Sequence, residues 1–297
     1  MTGLTAVERA LQTGGFGEGV RIGLSGAREE ISAARAVYGA LRRQLGYQDA
    51  APMLTGGASQ HKLAKSAGAS FGMMLTPARG MMAPDLADVR AVFRLTGPVN
   101  LCPRASAGCA AACLSRSGHS GMPTAQRAQA VRTAWLISHP REAGIMLGAE
   151  LRKAVGRHGR VNLRLNTTSD IRWEIVAPDM ITELTAVGVV MYDYTAYAPA
   201  DRRAREDYHL TFSAKEPAHT PDDYLMAVLA SGRNVAMPFA VRRGAELPTS
   251  WHGVRVIDGD TTDERYRDPR GVVVGLRVKG HMGKRDRTGF IRESVSS

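Results

Sequence analysis

The first part of the chain is patterned for helices. Between residues 27 and 45, apolar side chains recur every three or four positions, which is the spacing of one helical face. These positions are Ile31, Ala34, Val37, Leu41 and Leu45. A shorter helix is predicted over residues 5–11, and the Gly- and Pro-containing stretch 51–57 favours a boundary. The sequence therefore predicts a helical N-terminal extension over residues 1–52 and a main domain over residues 53–297.

In the main domain, short apolar runs typical of buried strands alternate with longer helical patterns. Strands are predicted over residues 71–75, 92–95, 161–165, 189–192, 208–212, 234–239, 254–257 and 272–276. Helices are predicted over residues 124–138, 140–155, 178–187 and 221–230. This alternation indicates an α/β fold with a mainly parallel sheet. With six to eight strands, the predicted architecture is a full or partial (β/α) barrel, and an open doubly wound sheet is the alternative.

All three cysteines of the chain lie within twelve positions, as Cys102, Cys109 and Cys113 in a C-x6-C-x3-C arrangement. An odd number of thiols cannot all pair as disulfides, and thiolates are preferred ligands of zinc and of iron–sulfur clusters. A zinc site needs a fourth ligand, for which His119 is the nearest imidazole. A [4Fe–4S] cluster held by three cysteines leaves one iron open. Alternatively, the three side chains are small apolar residues of the core.

Polar side chains follow the predicted strands at the points where the strands end. They include Asn166, Ser169, Asp170, Glu174, Asp193, Ser213, Asp258, Asp260, Asp263 and Lys279. The carboxyl ends of parallel strands form one edge, so we expect these residues to gather there with the cysteine loop, residues 100–114. Helix caps and turns explain a single group of polar residues after one strand. Such groups after five successive strands favour a functional site.

Roles within that site follow from residue chemistry. Asp170, Glu174, Asp193 and Lys279 are the candidate catalytic residues, and Asn166, Ser169 and Ser213 are the candidates for binding a cofactor. The carboxylates of Asp258, Asp260 and Asp263 have a spacing that could hold Mg²⁺, or they form an acidic turn that pairs with nearby arginines. With Asp170 and Glu174, they would serve a Mg²⁺-dependent nuclease or phosphohydrolase.

Charge and composition narrow the partners and the compartment. The formal net charge of +11 makes a nucleic acid or nucleotide the expected acidic partner, although an arginine-rich composition also occurs without one. No run of eighteen apolar residues predicts a membrane span, and no secretion signal pattern opens the sequence. A cytoplasmic protein is therefore expected. P-loop, serine hydrolase and zincin motifs are absent from the sequence.

Several motifs together resemble the actinobacteriophage family called gene 88 protein, over about residues 54 to 291. They are Asn100-Leu101-Cys102-Pro103, Gly108-Cys109, Cys113-Leu114, Arg164-Leu165-Asn166, Thr168-Ser169-Asp170, Trp173-Glu174, Tyr192-Asp193-Tyr194-Thr195, Leu210-Thr211-Phe212-Ser213, Val256-Ile257-Asp258-Gly259-Asp260 and Gly275-Leu276 with Lys279-Gly280. The resemblance implies a phage origin, and hence the cytoplasm of an infected host cell. It implies no established activity.

The cysteine loop is also distantly similar to that of radical S-adenosylmethionine enzymes. Those enzymes bind a [4Fe–4S] cluster through a three-cysteine loop that follows the first strand of a partial barrel, usually as C-x3-C-x2-C. The resemblance implies a cluster and S-adenosylmethionine as cofactors, and nucleotide or nucleic acid is the candidate substrate. The alternatives are a zinc-stabilised nucleic-acid-binding protein of phage replication or host takeover, and the Mg²⁺-dependent enzyme described above.

Overall fold

A nine-stranded, mostly parallel sheet organises the chain in a computed structural model that describes residues 22–48, 51–57, 63, 66, 68–116, 118–279 and 285–293. The strands are β1 (Thr55–Gly56), β2 (Ala69–Gly72), β3 (Val161–Arg164), β4 (Val189–Thr195), β5 (Tyr208–Ser213), β6 (Val235–Phe239), β7 (Ser250–Trp251), β8 (Val254–Asp258) and β9 (Val273–Arg277). The α/β class and the mainly parallel sheet are therefore confirmed.

The strand order is β1-β2-β3-β4-β5-β6-β9-β8-β7. All neighbours from β2 to β8 are parallel, whereas β1 and β7 each pair antiparallel at an edge. From β2 to β6 the strands are adjacent in chain order, without the reversal that defines a doubly wound sheet. The barrel is not confirmed, because the sheet stays open with β1 and β7 at its two edges.

The described residues form eight α-helices. These are α1 (Arg28–Gln44), α2 (Ala87–Val92), α3 (Ala107–Ala111), α4 (Pro123–Ser138), α5 (Pro140–His158), α6 (Trp173–Val176), α7 (Pro178–Ala186) and α8 (Asp222–Ala230). Short 3-10 turns lie between the helices and strands, and one of these turns, Arg265–Arg267, lies between β8 and β9. Pro123 and Pro140 stand in the first turns of α4 and α5, where a missing N–H costs no hydrogen bond. Within the described residues, no helix is both long and apolar enough to cross a membrane.

The N-terminal helix packs onto the main domain and shares its core. The predicted helix over residues 27–45 is confirmed as α1, and the ring of Tyr38 stacks on that of Trp135 in α4 at 4.9 Å. Both rings are fully buried. Apolar side chains from α4, α5 and one face of the sheet complete this core. The helix predicted over residues 5–11 lies outside the described residues.

Four stretches differ from the prediction. The strand expected over residues 92–95 is wrong, because this stretch includes the end of α2. Val89 and Phe93 are both buried, and their four-residue spacing is the helical one. The apolar run was too short to separate a strand from a helix. The cysteine loop contains the short helix α3, and the two-residue edge strands β1 and β7 were not predicted.

Candidate functional site

A cavity of about 240 Å³ lies over the carboxyl ends of the parallel strands. Its walls come from the cysteine loop, from the residues that end or follow β3, β4, β5, β6 and β9, and from the C-terminal segment 285–293. Among the lining residues are Cys102, Cys109, Cys113, Asn166, Ser169, Asp170, Ser213 and Lys279. The structure therefore brings the three thiols together with five of the polar residues that the sequence singled out.

Each cysteine is free and half-buried, and each has a hydrogen-bonding neighbour. The Ser106 hydroxyl accepts a hydrogen bond from the Cys109 N–H at 3.3 Å and caps α3. The Cys102 Sγ lies 3.7 Å from the Thr168 carbonyl oxygen, and the Cys113 Sγ lies 3.2 Å from the Ser115 hydroxyl. The loop thus directs three sulfurs to the cavity wall.

Burial makes the thiols of Cys102 and Cys109 hard to ionise. Burial is the main cause that raises the pKa of Cys109 to about 12, and the charges of Cys113 and Asp170 act in the same direction. Burial also raises the pKa of Cys102 well above its usual value. Both thiols are therefore protonated at neutral pH, unless a cation in the cavity stabilises the thiolates.

The sulfurs share the cavity without forming a closed set of metal ligands. Within the described ranges, no group of three or more His, Cys, Asp or Glu side chains is arranged to hold a metal ion. His119 is exposed, and it does not line the cavity. The imidazole that could complete a zinc site is thus turned elsewhere in this structure.

The Asn166 side chain organises the turn that follows β3. Its Oδ1 accepts hydrogen bonds from the Ser169 hydroxyl at 2.9 Å, from the Ile171 N–H at 2.9 Å and from the Trp173 indole at 3.1 Å. Its Nδ2 donates to the Ile171 carbonyl at 2.8 Å. Although Asn166 lines the cavity, these bonds already use its amide, so it shapes the wall from the inside.

Asp170 and Glu174 share one buried cation, the guanidinium of Arg202. The Arg202 Nε lies 2.7 Å from the Glu174 Oε1, and the Arg202 Nη1 lies 3.2 Å from the Asp170 Oδ1. The other Asp170 oxygen accepts the Ala196 N–H at 2.8 Å. Burial raises the pKa of Asp170, whereas the charge of Arg202 lowers it. Asp170 lines the cavity and Glu174 does not, so the two predicted catalytic carboxylates occupy different positions.

Asp193 lies behind the cavity wall, fully buried. Its Oδ2 accepts the Tyr208 hydroxyl at 2.7 Å and the Asn166 N–H at 3.0 Å, and its Oδ1 lies 3.6 Å from the Arg164 Nε. Burial raises the pKa of Asp193 to about 7, although Arg164 and Tyr208 lower it. This carboxyl group can therefore hold a proton near neutral pH, one layer away from the cavity.

The three carboxylates proposed for Mg²⁺ already have cationic partners. Asp258 and Asp260 pair with Arg277 at the end of β9, at 2.8 and 3.4 Å, and Lys279 also binds Asp260. Asp263 is buried, and its Oδ2 accepts a hydrogen bond from the Arg164 Nη1 at 3.0 Å. The acidic turn alternative therefore describes Asp258 and Asp260, while Asp263 belongs to the network that fixes Arg164.

Three further residues shape the site, and the sequence did not single them out. Glu216, 4% exposed, accepts the Gly108 N–H at 2.6 Å. Arg202 neutralises Asp170 and Glu174, and Phe290 lines the cavity from the C-terminal segment. Each reaches the site over a long sequence separation, so no local spacing could have identified it.

The fold and the cavity define an α/β protein with a cysteine-lined cavity at the carboxyl edge of an open, mostly parallel sheet. Its sequence matches the family model described as Gene product 88 over residues 55–294, and the chain belongs to this phage gene product family. No curated protein and no solved structure matches the chain. These comparisons do not test the resemblance to radical S-adenosylmethionine enzymes, which stays a prediction.

Proposed function

We propose that this protein is a phage enzyme of radical S-adenosylmethionine type, with an iron–sulfur centre held by Cys102, Cys109 and Cys113. One observation carries the proposal: all three cysteines line a single cavity above the carboxyl ends of parallel strands, of which β2 to β6 follow one another in chain order. Enzymes with parallel sheets place their active sites at that edge.

The residues around the cavity fit such a centre in their chemistry. The three sulfurs are soft ligands of the kind that iron–sulfur clusters use. A cationic centre would offset the cost of ionising Cys102 and Cys109, whose thiols are protonated without one. Binding requires the three side chains to converge further, because they do not form a closed ligand set as they stand. Bound there, a cluster would supply the electron that cleaves S-adenosylmethionine.

The remaining residues of the cavity contribute shape and polarity. Ala105, Ala112, Ala214, Leu276 and Phe290 form apolar parts of its wall, which exclude water from a reactive group. Thr167, Thr168 and Ser213 add hydroxyl groups that can orient a polar ligand. A volume of about 240 Å³ is small for a ligand site, so the walls would have to open to admit a cofactor together with one reacting group of a nucleotide or nucleic acid.

Anaerobic purification of the full chain tests this proposal directly. We expect a brown protein that absorbs in the visible region and contains iron and acid-labile sulfide. Each of the variants Cys102→Ser, Cys109→Ser and Cys113→Ser should lose most of the iron. His119→Ala is the matched control, since this exposed side chain should leave the iron content unchanged. A colourless wild-type protein that contains stoichiometric zinc, and loses it in His119→Ala, contradicts the proposal.

The two alternatives receive less support. The Mg²⁺-dependent enzyme would need Asp258, Asp260 and Asp263 to face one ion, but Asp258 and Asp260 already pair with Arg277, and Asp263 pairs with Arg164. A zinc site would need a fourth ligand, and His119 lies outside the cavity lining. Cleavage of nucleic acid with added Mg²⁺, lost in an Asp258→Ala, Asp260→Ala double variant, would restore the first alternative.

A further inference from the structure

A second concave surface lies between the N-terminal helix α1 and helix α5, separate from the cysteine-lined cavity. It is an open groove of about 720 Å³, and we call it the arginine groove. Three arginines line it, Arg28 and Arg35 from α1 and Arg152 from α5. The hydroxyl-bearing residues Ser25 and Ser32 also line it, and no acidic residue in the described part of the chain does.

Carboxylates around the arginine groove offset its positive charge only in part, since the charge of Arg35 acts on Glu150 and lowers its pKa. Within the described part of the chain, none of Arg28, Arg35 and Arg152 has a carboxylate within ion-pair distance; Arg152 Nη1 donates to the Leu24 carbonyl at 3.2 Å. Glu30 pairs with Arg141 instead.

The nearest acidic residue on α5 is committed to the backbone. Glu150 accepts hydrogen bonds from the Met53 N–H at 2.9 Å and from the Leu54 N–H at 3.0 Å, and so uses both of its oxygens. The arginine groove therefore presents three cations, with donor hydroxyls beside them, to whatever enters it.

We propose that the arginine groove binds the phosphate backbone of a nucleic acid. Guanidinium groups present forked donors that match phosphate oxygens, and hydroxyl side chains add further donors. The groove is open, its volume of about 720 Å³ leaves room for more than one phosphate, and the net charge of +11 favours a polyanion over a single ion. Among the described residues, no aromatic side chain lines it, so contacts to phosphates and not base stacking would supply the affinity.

The arginine groove and the cysteine-lined cavity arise from different parts of the chain. The family match begins at residue 55, so Arg28 and Arg35 belong to an extension that precedes the matched region, whereas Arg152 lies within it. The extension thus adds the groove to a domain that carries the cysteine-lined cavity. Nucleic-acid binding at the groove does not require a metal centre, and the cysteine variants should keep it.

The test compares two triple variants that remove the same number of charges. Arg28→Gln, Arg35→Gln, Arg152→Gln empties the groove of its cations, and Arg43→Gln, Arg243→Gln, Arg255→Gln removes three exposed arginines that do not line it. Binding of a short fluorescein-labelled DNA duplex to the full chain is followed by anisotropy between about 50 and 200 mM salt. Inorganic phosphate and free nucleotide serve as competitors.

We expect the groove variant to bind the duplex at least roughly tenfold more weakly, with the slope of log affinity against log salt reduced by about 2 to 3. The control variant should lose less than about threefold. Ser32→Glu, which places one carboxylate in the groove, should weaken binding as well, and it serves if the triple variant unfolds. Equal losses of affinity in both triple variants would overturn the proposal. A wild-type protein that binds phosphate or nucleotide but no duplex would overturn it as well.

Discussion

The carboxylate of Glu216 accepts a hydrogen bond of 2.6 Å from the backbone N–H of Gly108, a residue 108 positions earlier in the chain. This bond ties the loop after β5 to the helix that carries Cys109. Burial of Glu216 would raise its pKa, but hydrogen bonds from Ser106 and Gly108 among others bring the pKa below its usual value. An ionised Glu216 thus holds the cysteine loop against the end of the sheet.

Removing this anchor should loosen the loop. Glu216→Ala leaves the buried Gly108 N–H without an acceptor, which costs about 1–3 kcal/mol in the free energy of unfolding. Glu216→Gln keeps an oxygen at the same place and should cost less. Urea unfolding measures both values, and iron content after anaerobic purification should fall in the same order. Equal behaviour of the two variants would show that Glu216 does not act through this bond.

Gly108 should tolerate no side chain. A Cβ there would lie 2.5 Å from the Thr288 hydroxyl, 2.6 Å from the Phe290 Cβ and 2.7 Å from the Glu216 Oε1. We expect Gly108→Ala to lower the free energy of unfolding by about 1–3 kcal/mol through overpacking. Gly156→Ala is the matched control, because nothing lies within 4 Å of its added Cβ. That helical substitution should be neutral or stabilising by up to about 1 kcal/mol. The opposite ranking in urea unfolding would contradict the packing.

Arg202 should be among the most sensitive charged residues. Arg202→Gln leaves the carboxylates of Asp170 and Glu174 buried without their cation, so a loss of about 3–5 kcal/mol in the free energy of unfolding is expected. Adding Glu174→Gln should recover part of that loss, because one of the unpaired charges is then gone. The exposed neighbour Arg203, changed to Gln, controls for the loss of a positive charge. No recovery in the double variant would rule out charge burial as the cause.

Asp193 predicts a pH dependence of stability with a defined sign. Its pKa of about 7 in the folded protein exceeds the ordinary value of 3.8, so the folded state binds this proton more tightly. Its contribution to stability is therefore complete below about pH 4 and is lost as the pH rises to about 7. Asp193→Asn keeps an acceptor for Tyr208 and does not titrate. The stability of this variant relative to wild type should increase between about pH 5 and pH 8.

Asp268 provides the comparison, since burial raises its pKa to about 6. Thermal unfolding of Asp268→Asn should show the same trend over a narrower and lower pH range. If the difference between Asp193→Asn and wild type does not change with pH, Asp193 is not the group that titrates.

The Cys109 thiol should be unreactive in the absence of metal. Because burial raises the pKa of Cys109 to about 12, little thiolate is present at neutral pH, and alkylation by iodoacetamide should be slow. The urea-unfolded chain should react much faster at the same pH. Mass spectrometry of the digested protein measures the modified fraction at Cys109. Rapid alkylation in the folded, metal-free protein would contradict the burial.

Local patterns in the sequence determined much of the fold. Alternating apolar runs and helical periodicity predicted the α/β class, the parallel sheet and the helices α1, α4, α5, α7 and α8 within a few residues. Those signals are local, since burial of one face imposes a fixed spacing on the chain. The prediction for the stretch 92–95 failed because three apolar residues within four positions fit a helix end as well as a strand.

The clustering of the cysteines in the sequence also predicted that they share one site. The reason is similar, because residues that are close in sequence and lie on one loop stay close in space. The carboxyl-end argument added Asn166, Ser169, Asp170, Ser213 and Lys279, which also line the cavity. Their proximity follows from the parallel sheet alone. The role of each side chain in the cavity could be assigned only from its hydrogen-bond and ion-pair partners in the structure.

Tertiary structure alone decided which charges remain available. The sequence presents Asp170, Glu174, Asp258, Asp260 and Asp263 as equivalent carboxylates, but the fold supplies Arg202, Arg277, Lys279 and Arg164 as their partners. It also left the sheet open and placed Arg152 beside Arg28 and Arg35. These pairings join residues far apart in the chain, and periodicity carries no information about them. Local spacing thus determined the elements, whereas long-range packing determined their chemistry.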